Sequence, residues 1–334
     1  MPTPRFSFHR SARARTSAPI AVAVLVALTL AGCAGGAGAS TDDAEAEGRT
    51  VTTLIGEVTV PEQIDSVVVL EGRRDLDIVL SLGLPLAGYP YEGPDSGLDL
   101  EAPLAAATAA AQADGAVEAF LADEVNLEAI AELAPTVIIG RINDVEPILA
   151  ELQAIAPVVP VSEHSDGVTW QEDLTLIGEA TGTEDTAAEL IAAYDARVEE
   201  IATTYADQIA NTIVSPISYN AEGSAVQATR LQSLALIDVG AVPSQAFADA
   251  IELQEDAVDF SPEQRLDAHK DAEAILALIN SADDYAATAT DSLWQQLPAV
   301  QAGNVIRMDK MSHEGGPTTA MHVLDVIEQL YSKI

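Results

Sequence analysis

From about Thr50 onward, hydrophobic positions follow two alternating rhythms. Short aliphatic runs, bounded by Gly, Pro or Asn, alternate with stretches in which apolar residues recur at helical spacing, the pattern of an α/β fold. The run Ser66-Val67-Val68-Val69-Leu70 predicts a buried strand, and residues 75–82 a helix ended by Gly83. Leu86-Ala87-Gly88 predicts a second strand, residues 126–133 a helix stopped ahead of Pro135, and Val137-Ile138-Ile139 a third strand. A helix over 145–155 and a strand over 158–161 complete this set. Strand, helix and strand in succession imply a doubly wound, parallel sheet.

The middle of the chain changes character. Residues 170–181 read as a helix stopped by Gly182, followed by a long amphipathic helix over 184–207. Its apolar positions Ala187, Leu190, Ile191, Tyr194, Val198, Ile201 and Tyr205 keep one face, and Glu184 and Asp185 suit the positive end of its dipole. At 1.5 Å per residue it would run roughly 35 Å, long enough to act as a strut between two lobes. The earlier grammar then returns. It predicts strands at 213–218, 274–278 and 305–308, and helices at 230–239, from 263, at 293–301 and at 317–331. Ser261-Pro262-Glu263 reads as a helix start, with Ser261 as cap and Pro262 in the first turn. It parallels Asn126-Leu127-Glu128 in the first half.

The N-terminus has a separate logic. Arg5, Arg10, Arg13 and Arg15 precede an apolar run from Ala18 to Leu30. That run is short for a membrane span but has the length of a secretory signal core. It ends in Leu30-Ala31-Gly32-Cys33, which resembles the lipobox of bacterial lipoproteins and predicts a lipid on Cys33. The expected division is a signal peptide over 1–32, a flexible tether over 33–49, a first lobe over 50–168, linking helices over 169–208 and a second lobe over 209–334. Cys33 is the only cysteine of the chain, so the exported domain carries no disulfide. Removal of residues 1–32 takes four arginines and no acids, leaving 11 bases against 53 acids, a formal charge of −42. Such a field argues against nucleic acid or an anionic membrane surface as the main partner. Any anionic ligand must be met by locally gathered arginine.

Open α/β sheets bind ligands beyond the carboxyl ends of their strands. Arg73 and Arg74 follow the first predicted strand, Tyr89 and Tyr91 the second, and Arg141 the third. In the second half Tyr219 follows a strand and Arg230 lies one loop away. Arg307 sits at the end of the last strand, with His313 in the loop after it. Guanidinium groups fork onto anionic oxygens and stack on flat ligands, and tyrosines add amphipathic contact area. Of eight arginines after residue 32, five hold such positions. The histidines lack metal-ligand spacing, and no nucleophile elbow or phosphate loop is present. No resident cofactor and no enzymatic activity are therefore expected.

These features, taken in order, resemble the substrate-binding lipoproteins of ABC importers for ferric siderophores, cobalamin and haem. The residues that carry the resemblance are Asn126-Leu127-Glu128-Ala129-Ile130 ahead of Ala134-Pro135-Thr136-Val137-Ile138-Ile139, and Leu293-Trp294-Gln295-Gln296-Leu297-Pro298-Ala299-Val300 ahead of Gly303-Asn304-Val305. Gly315-Gly316-Pro317 at the head of the last helix, with Leu324-Asp325 inside it, adds to them. The resemblance implies two doubly wound α/β lobes joined by a single long helix, the class III periplasmic-binding-protein arrangement, with modest closure on binding. It implies a monomer anchored at the outer face of the cytoplasmic membrane, a ferric siderophore as cargo and an ABC permease as partner. Glu128 and Glu263 would be the lobe-tip acids that dock on the permease. The domain's negative field favours hydroxamate or mixed siderophores over tri-anionic catecholates. Haem or cobalamin on the same fold remains an alternative, with Tyr89, Tyr91, His164 or His313 as axial candidates for haem. A surface-anchored enzyme or adhesion module is the alternative from another class.

Overall fold

The computed structural model describes residues 48–93, 96–253 and 257–334. The leader, Cys33 and the tether up to residue 47 lie outside the described residues. Strands β1 (Gly48–Thr53) and β2 (Gly56–Pro61) form an antiparallel hairpin. Its alternating Val51, Val58 and Val60 are buried against the helix Trp170–Thr181.

The first lobe is built on β3 (Val67–Val69), β4 (Leu86–Tyr91), β5 (Val117–Leu121), β6 (Val137–Arg141) and β7 (Val158–Val161), in spatial order β5-β4-β3-β6-β7. Every neighbouring pair is parallel. The central strands carry Val67, Val68, Val69, Val137, Ile138 and Ile139 with no exposed surface, as expected of parallel strands covered on both faces. From β3 the chain winds outward through β4 and β5, then returns to β6 on the other side of β3. That reversal puts a crevice at the carboxyl ends of β3 and β6. Gly140 permits the close approach there, because a Cβ on it would lie 2.7 Å from Leu70.

The second lobe contains β8 (Ile213–Asn220), β9 (Gly223–Val226), β10 (Val242–Pro243), β11 (Val258–Phe260), β12 (Ala274–Leu278) and β13 (Val305–Met308). Its order is β11-β9-β8-β12-β13, with β10 also on β8. Strands β8, β12 and β13 are parallel, but β9 runs antiparallel to both β8 and β11. This second sheet is therefore mixed. A tight turn makes the reversal, where the Asn220 side chain accepts from the N–H groups of Glu222 and Gly223 at 2.8 and 3.0 Å.

Several local expectations change. The helix expected over 145–155 is broken into Ile142–Val145, a 3-10 turn at Glu146–Ile148 and Leu149–Gln153, since Pro147 has no N–H to continue the ladder. The linking helix spans Glu184–Thr204, roughly 31 Å, and a non-helical Tyr205 separates it from Ala206–Asn211. Ser261 does not cap a helix. Its hydroxyl donates to Glu263 and its N–H to Gln264, and the helix Arg265–His269 begins later. The helix Ala105–Ala113 escaped the periodicity reading because its alanines are nearly continuous and it buries none of its residues fully.

The lobes share a continuous core through the linking helix, which buries Ala187, Tyr194 and Ile201. The Trp170 and Tyr194 rings meet edge to face at 5.2 Å, and the Tyr194 hydroxyl donates to Asp238 at 2.8 Å. The C-terminal helix Pro317–Tyr331 packs on this strut and on the first-lobe helix Arg74–Ser81.

Candidate functional site: an arginine cluster between the lobes

The segment after β3 is shaped by two acids. Asp75 accepts from the N–H groups of Leu70, Glu71 and Gly72 at 2.9, 2.7 and 2.8 Å, which folds the chain back at the strand end. Gly72 takes φ +88°, and a Cβ there would lie 2.9 Å from Pro90, so the turn excludes other residues. Glu71 then faces inward. One of its oxygens accepts from the N–H groups of Arg73 and Arg74, and the other from Arg73 Nε at 2.6 Å. The side chains of Glu71 and Arg73 are thereby locked at the crevice.

Arg141, at the end of β6, stands across this crevice. It is surrounded by Asp144 at 3.2 Å, Glu163 at 3.4 Å, Glu314 at 3.7 Å and Glu71 at 3.8 Å. Glu314 comes from the second lobe, where it pairs with Arg230 and accepts at 3.3 Å from His313 Nε2. Its other oxygen lies 3.9 Å from Arg73 Nε. One carboxylate thus ties Arg73 and Arg141 of the first lobe to Arg230 and His313 of the second.

Burial governs the electrostatics. It pushes the Glu71 carboxyl up to about 7 against the opposing pull of Arg73. Burial works against charge on Arg141, but Glu71, Asp144, Glu163 and Glu314 outweigh it and hold the guanidinium above its ordinary range. Burial lowers His313, with Arg230 and Arg73 adding to the effect and Glu314 opposing it. The imidazole is neutral at neutral pH, and its Nδ1 is buried without a partner.

Beside the cluster opens a cleft of about 250 Å³, lined in part by Arg73, Tyr89, Tyr91, Leu104, Gln112 and Met311. It is mostly apolar, with the alanine face of Ala105–Ala113 on one side, and its polar groups include Glu71 and Arg73 from the cluster and Gln112 from that helix. Such a composition fits organic ligands with a few anchoring oxygens.

The structure therefore brings Arg73, Arg141, Arg230, His313, Tyr89 and Tyr91 into one region, and it reassigns others. Tyr89 and Tyr91 lie within β4 rather than after it, because the strand runs three residues beyond Gly88. Tyr89 is buried and its hydroxyl accepts from Gln112, while Tyr91 is 37 % exposed. Arg74 is a structural residue, not a ligand group. It turns away from the crevice to Ser162 and Asp173, both at 2.9 Å. Tyr219 is likewise structural: it is buried, donates to Asp291 at 3.0 Å and lies under the Arg265 guanidinium at 4.2 Å. Arg265 in turn holds the β8–β9 turn through the carbonyls of Asn220 and Gly223. Arg307 joins Asp99 across the lobes and stacks on Tyr285 at 4.9 Å, apart from the arginine cluster.

Glu128 is exposed in the first turn of the helix Leu127–Glu132, capped by Asn126, and Glu263 is exposed in the turn after β11. Both sit past the carboxyl edge of their own sheet, because β11, antiparallel to β9, runs in the same direction as β8. Glu71 and Glu314 were not found from sequence. Among 53 acids nothing marks out two, except that Glu71 adjoins a buried strand and Glu314 lies between His313 and a Gly-Gly pair. Among the described residues no group of three or more His, Cys, Asp or Glu could hold a metal ion.

The chain is similar to known proteins in sequence and fold. Residues 103–311 match the periplasmic binding protein family. A probable siderophore-binding lipoprotein, YfiY of Bacillus subtilis, is 30% identical over 223 residues, which cover 64% of this chain and 68% of that protein. The siderophore periplasmic binding protein of the fuscachelin gene cluster of Thermobifida fusca superimposes with a TM-score of 0.64 and 27% identity, over 81% of this chain and 98% of that one. Staphylococcus aureus SirA, solved with staphyloferrin B, has a TM-score of 0.68 over 85% of this chain and 97% of its own; its 19% identity speaks to the fold alone.

Proposed function

This chain belongs to the periplasmic binding protein family, and from that premise we propose that it captures a ferric siderophore between its lobes and delivers it to an ABC permease for iron uptake. One observation carries the reading. Arg73 and Arg141 at the switch point of one sheet and Arg230 of the other lobe converge on Glu314, and Arg73 also lines the adjoining cleft with Tyr89 and Tyr91. The guanidinium groups would bind chelate oxygens while the aromatic and alanine faces take the organic frame. Fe(III) arrives as cargo with its own oxygen ligands, so the chain acts by binding and release rather than by bond chemistry. Haem fits less well, because Tyr89 is buried against Gln112 and the half-buried His313 is held by Glu314, so each would have to break its present contact to reach an iron.

Mass spectrometry of ligand co-purified from iron-limited culture tests the reading. An iron-chelate mass is expected; a tetrapyrrole mass would replace the cargo. The lobes would be held outside the cytoplasmic membrane by a lipid on Cys33, which raises their concentration near the permease. Cys33→Ser should move the protein from the membrane fraction to the medium or periplasm with unchanged ligand affinity.

A further inference from the structure

The cluster has the wrong charge for a simple anion receptor. Among the described residues, Arg73, Arg141 and Arg230 face Glu71, Asp144, Glu163 and Glu314, three guanidiniums against four carboxyl groups, of which Glu71 is held part-protonated near neutral pH by burial. His313 adds no charge when neutral. Two further cations between the lobes are also paired within the protein, Lys310 with Glu92 at 2.8 Å and Arg307 with Asp99. The whole domain then adds its own excess of acid.

From this balance we infer that Glu71 and Glu314 make the cleft charge-selective, favouring neutral ferric trihydroxamates over trianionic ferric tris-catecholates. The inference rests on the siderophore reading above. Three singly charged hydroxamates neutralise Fe(III), whereas three doubly charged catecholates leave a trianion. A guanidinium has five N–H donors, so an arginine already paired with a carboxylate can still donate to the oxygens of a neutral chelate. Nothing has to be displaced. A trianion must either push Glu314 off Arg73, Arg141 and Arg230 or lie beside it. Both outcomes leave carboxylate charge uncompensated in a partly buried site, which is how a binding site rejects a competitor. The two acids also differ in reach. Glu71 is fixed by the loop after β3, and Glu314 belongs to the opposite lobe, so discrimination acts on both sides of the bound chelate.

The test is isothermal titration of the wild type, Glu71→Gln, Glu314→Gln and the double variant with ferrichrome, a neutral trihydroxamate complex, and ferric enterobactin, a trianionic tris-catecholate. The wild type should hold ferrichrome at least about tenfold more tightly. In the double variant the ratio of ferric enterobactin to ferrichrome affinity should shift by about 10–100-fold toward the trianion, whatever the change common to both complexes. Circular dichroism reports on folding. If the double variant does not fold, Glu163→Gln, at the edge of the cluster, should give a smaller gain of the same sign. Equal or tighter binding of the trianion by the wild type overturns the inference alone, as does a ratio unmoved by the substitutions. No binding of either complex by any folded form overturns it together with the siderophore reading.

Discussion

The Asp77 carboxylate, in the first lobe, accepts a hydrogen bond from the backbone N–H of Thr319, in the second, at 2.8 Å. The same carboxylate takes the N–H groups of Gly316 at 2.9 Å and Thr318 at 3.1 Å. The helix Pro317–Tyr331 has Gly316 at its cap position and therefore no capping side chain of its own. A residue more than 200 positions earlier satisfies its open donors and faces the positive end of its dipole. Asp77 has no exposed surface, so the cap also acts as a fixed joint between lobes, close to Glu314.

Asp77→Ala should cost about 2–3 kcal/mol, combining a lost cap with donors left unpaired in the interior. Urea unfolding monitored by circular dichroism measures it. A loss under about 0.5 kcal/mol would mean that water replaces the carboxylate and that the joint contributes little.

Arg74 and Arg141 should separate stability from binding. Arg74→Gln strands Asp173 in the interior and should destabilise the fold by about 3–5 kcal/mol, with ligand affinity kept by the folded fraction. Arg141→Gln should weaken ferric-siderophore binding by about tenfold or more, a loss of at least about 1.4 kcal/mol. Thermal melts and fluorescence quenching, run on both variants, would show a reversed pattern if the assignments were exchanged.

Glu71 sets a pH dependence of stability. Its folded pKa, pushed up to about 7 by burial from an ordinary 4.5, means that the native state holds a proton that the unfolded chain has already released in that window. Stability from this group is complete below about 4.5 and falls as pH rises through about 7. Asp75, Glu314, Arg73 and Arg141 face it and tune the window. Asp75, Asp144 and Asp173 are also raised by burial and act in the same direction. Glu71→Gln should flatten the melting-temperature profile between pH 4.5 and 7; a profile as steep as that of the wild type would remove Glu71 as its source.

Glu128→Ala with Glu263→Ala should leave ligand affinity within about twofold, since both are exposed beyond the cluster. Transport in vesicles carrying the cognate permease should drop by about tenfold or more, the scale of lost charge pairs at an interface. Full transport by the double variant would place docking on other surfaces.

Some of this chain could be read without coordinates because the signal is local. The helix 170–181 ends where Gly182 adopts a left-handed conformation that a Cβ would resist, so both of its ends are legible in the sequence. The last helix, 317–331, is equally legible from Pro317 at its start. Strand-end arginines were also findable, because a strand's carboxyl edge is where an α/β sheet opens. The same rule could not tell Arg73 from Arg74. They are neighbours at the head of one helix, yet one faces Glu71 and the other Asp173, a choice made by residues about 90 positions away at Ser162 and Asp173.

Periodicity, turn residues and the placement of scarce bases in an acidic chain thus determined the two-lobed α/β plan, the strut and a short roster of candidate site residues. Each depends on neighbours a few positions apart. Which roster members meet was decided by tertiary structure alone. Glu314 reaches Arg73, Arg141 and Arg230 from a different lobe, and Asp77 caps a helix it does not belong to. A carboxylate's partner is set by distance and desolvation, and in a chain with 53 acids neither is encoded in the spacing along the sequence.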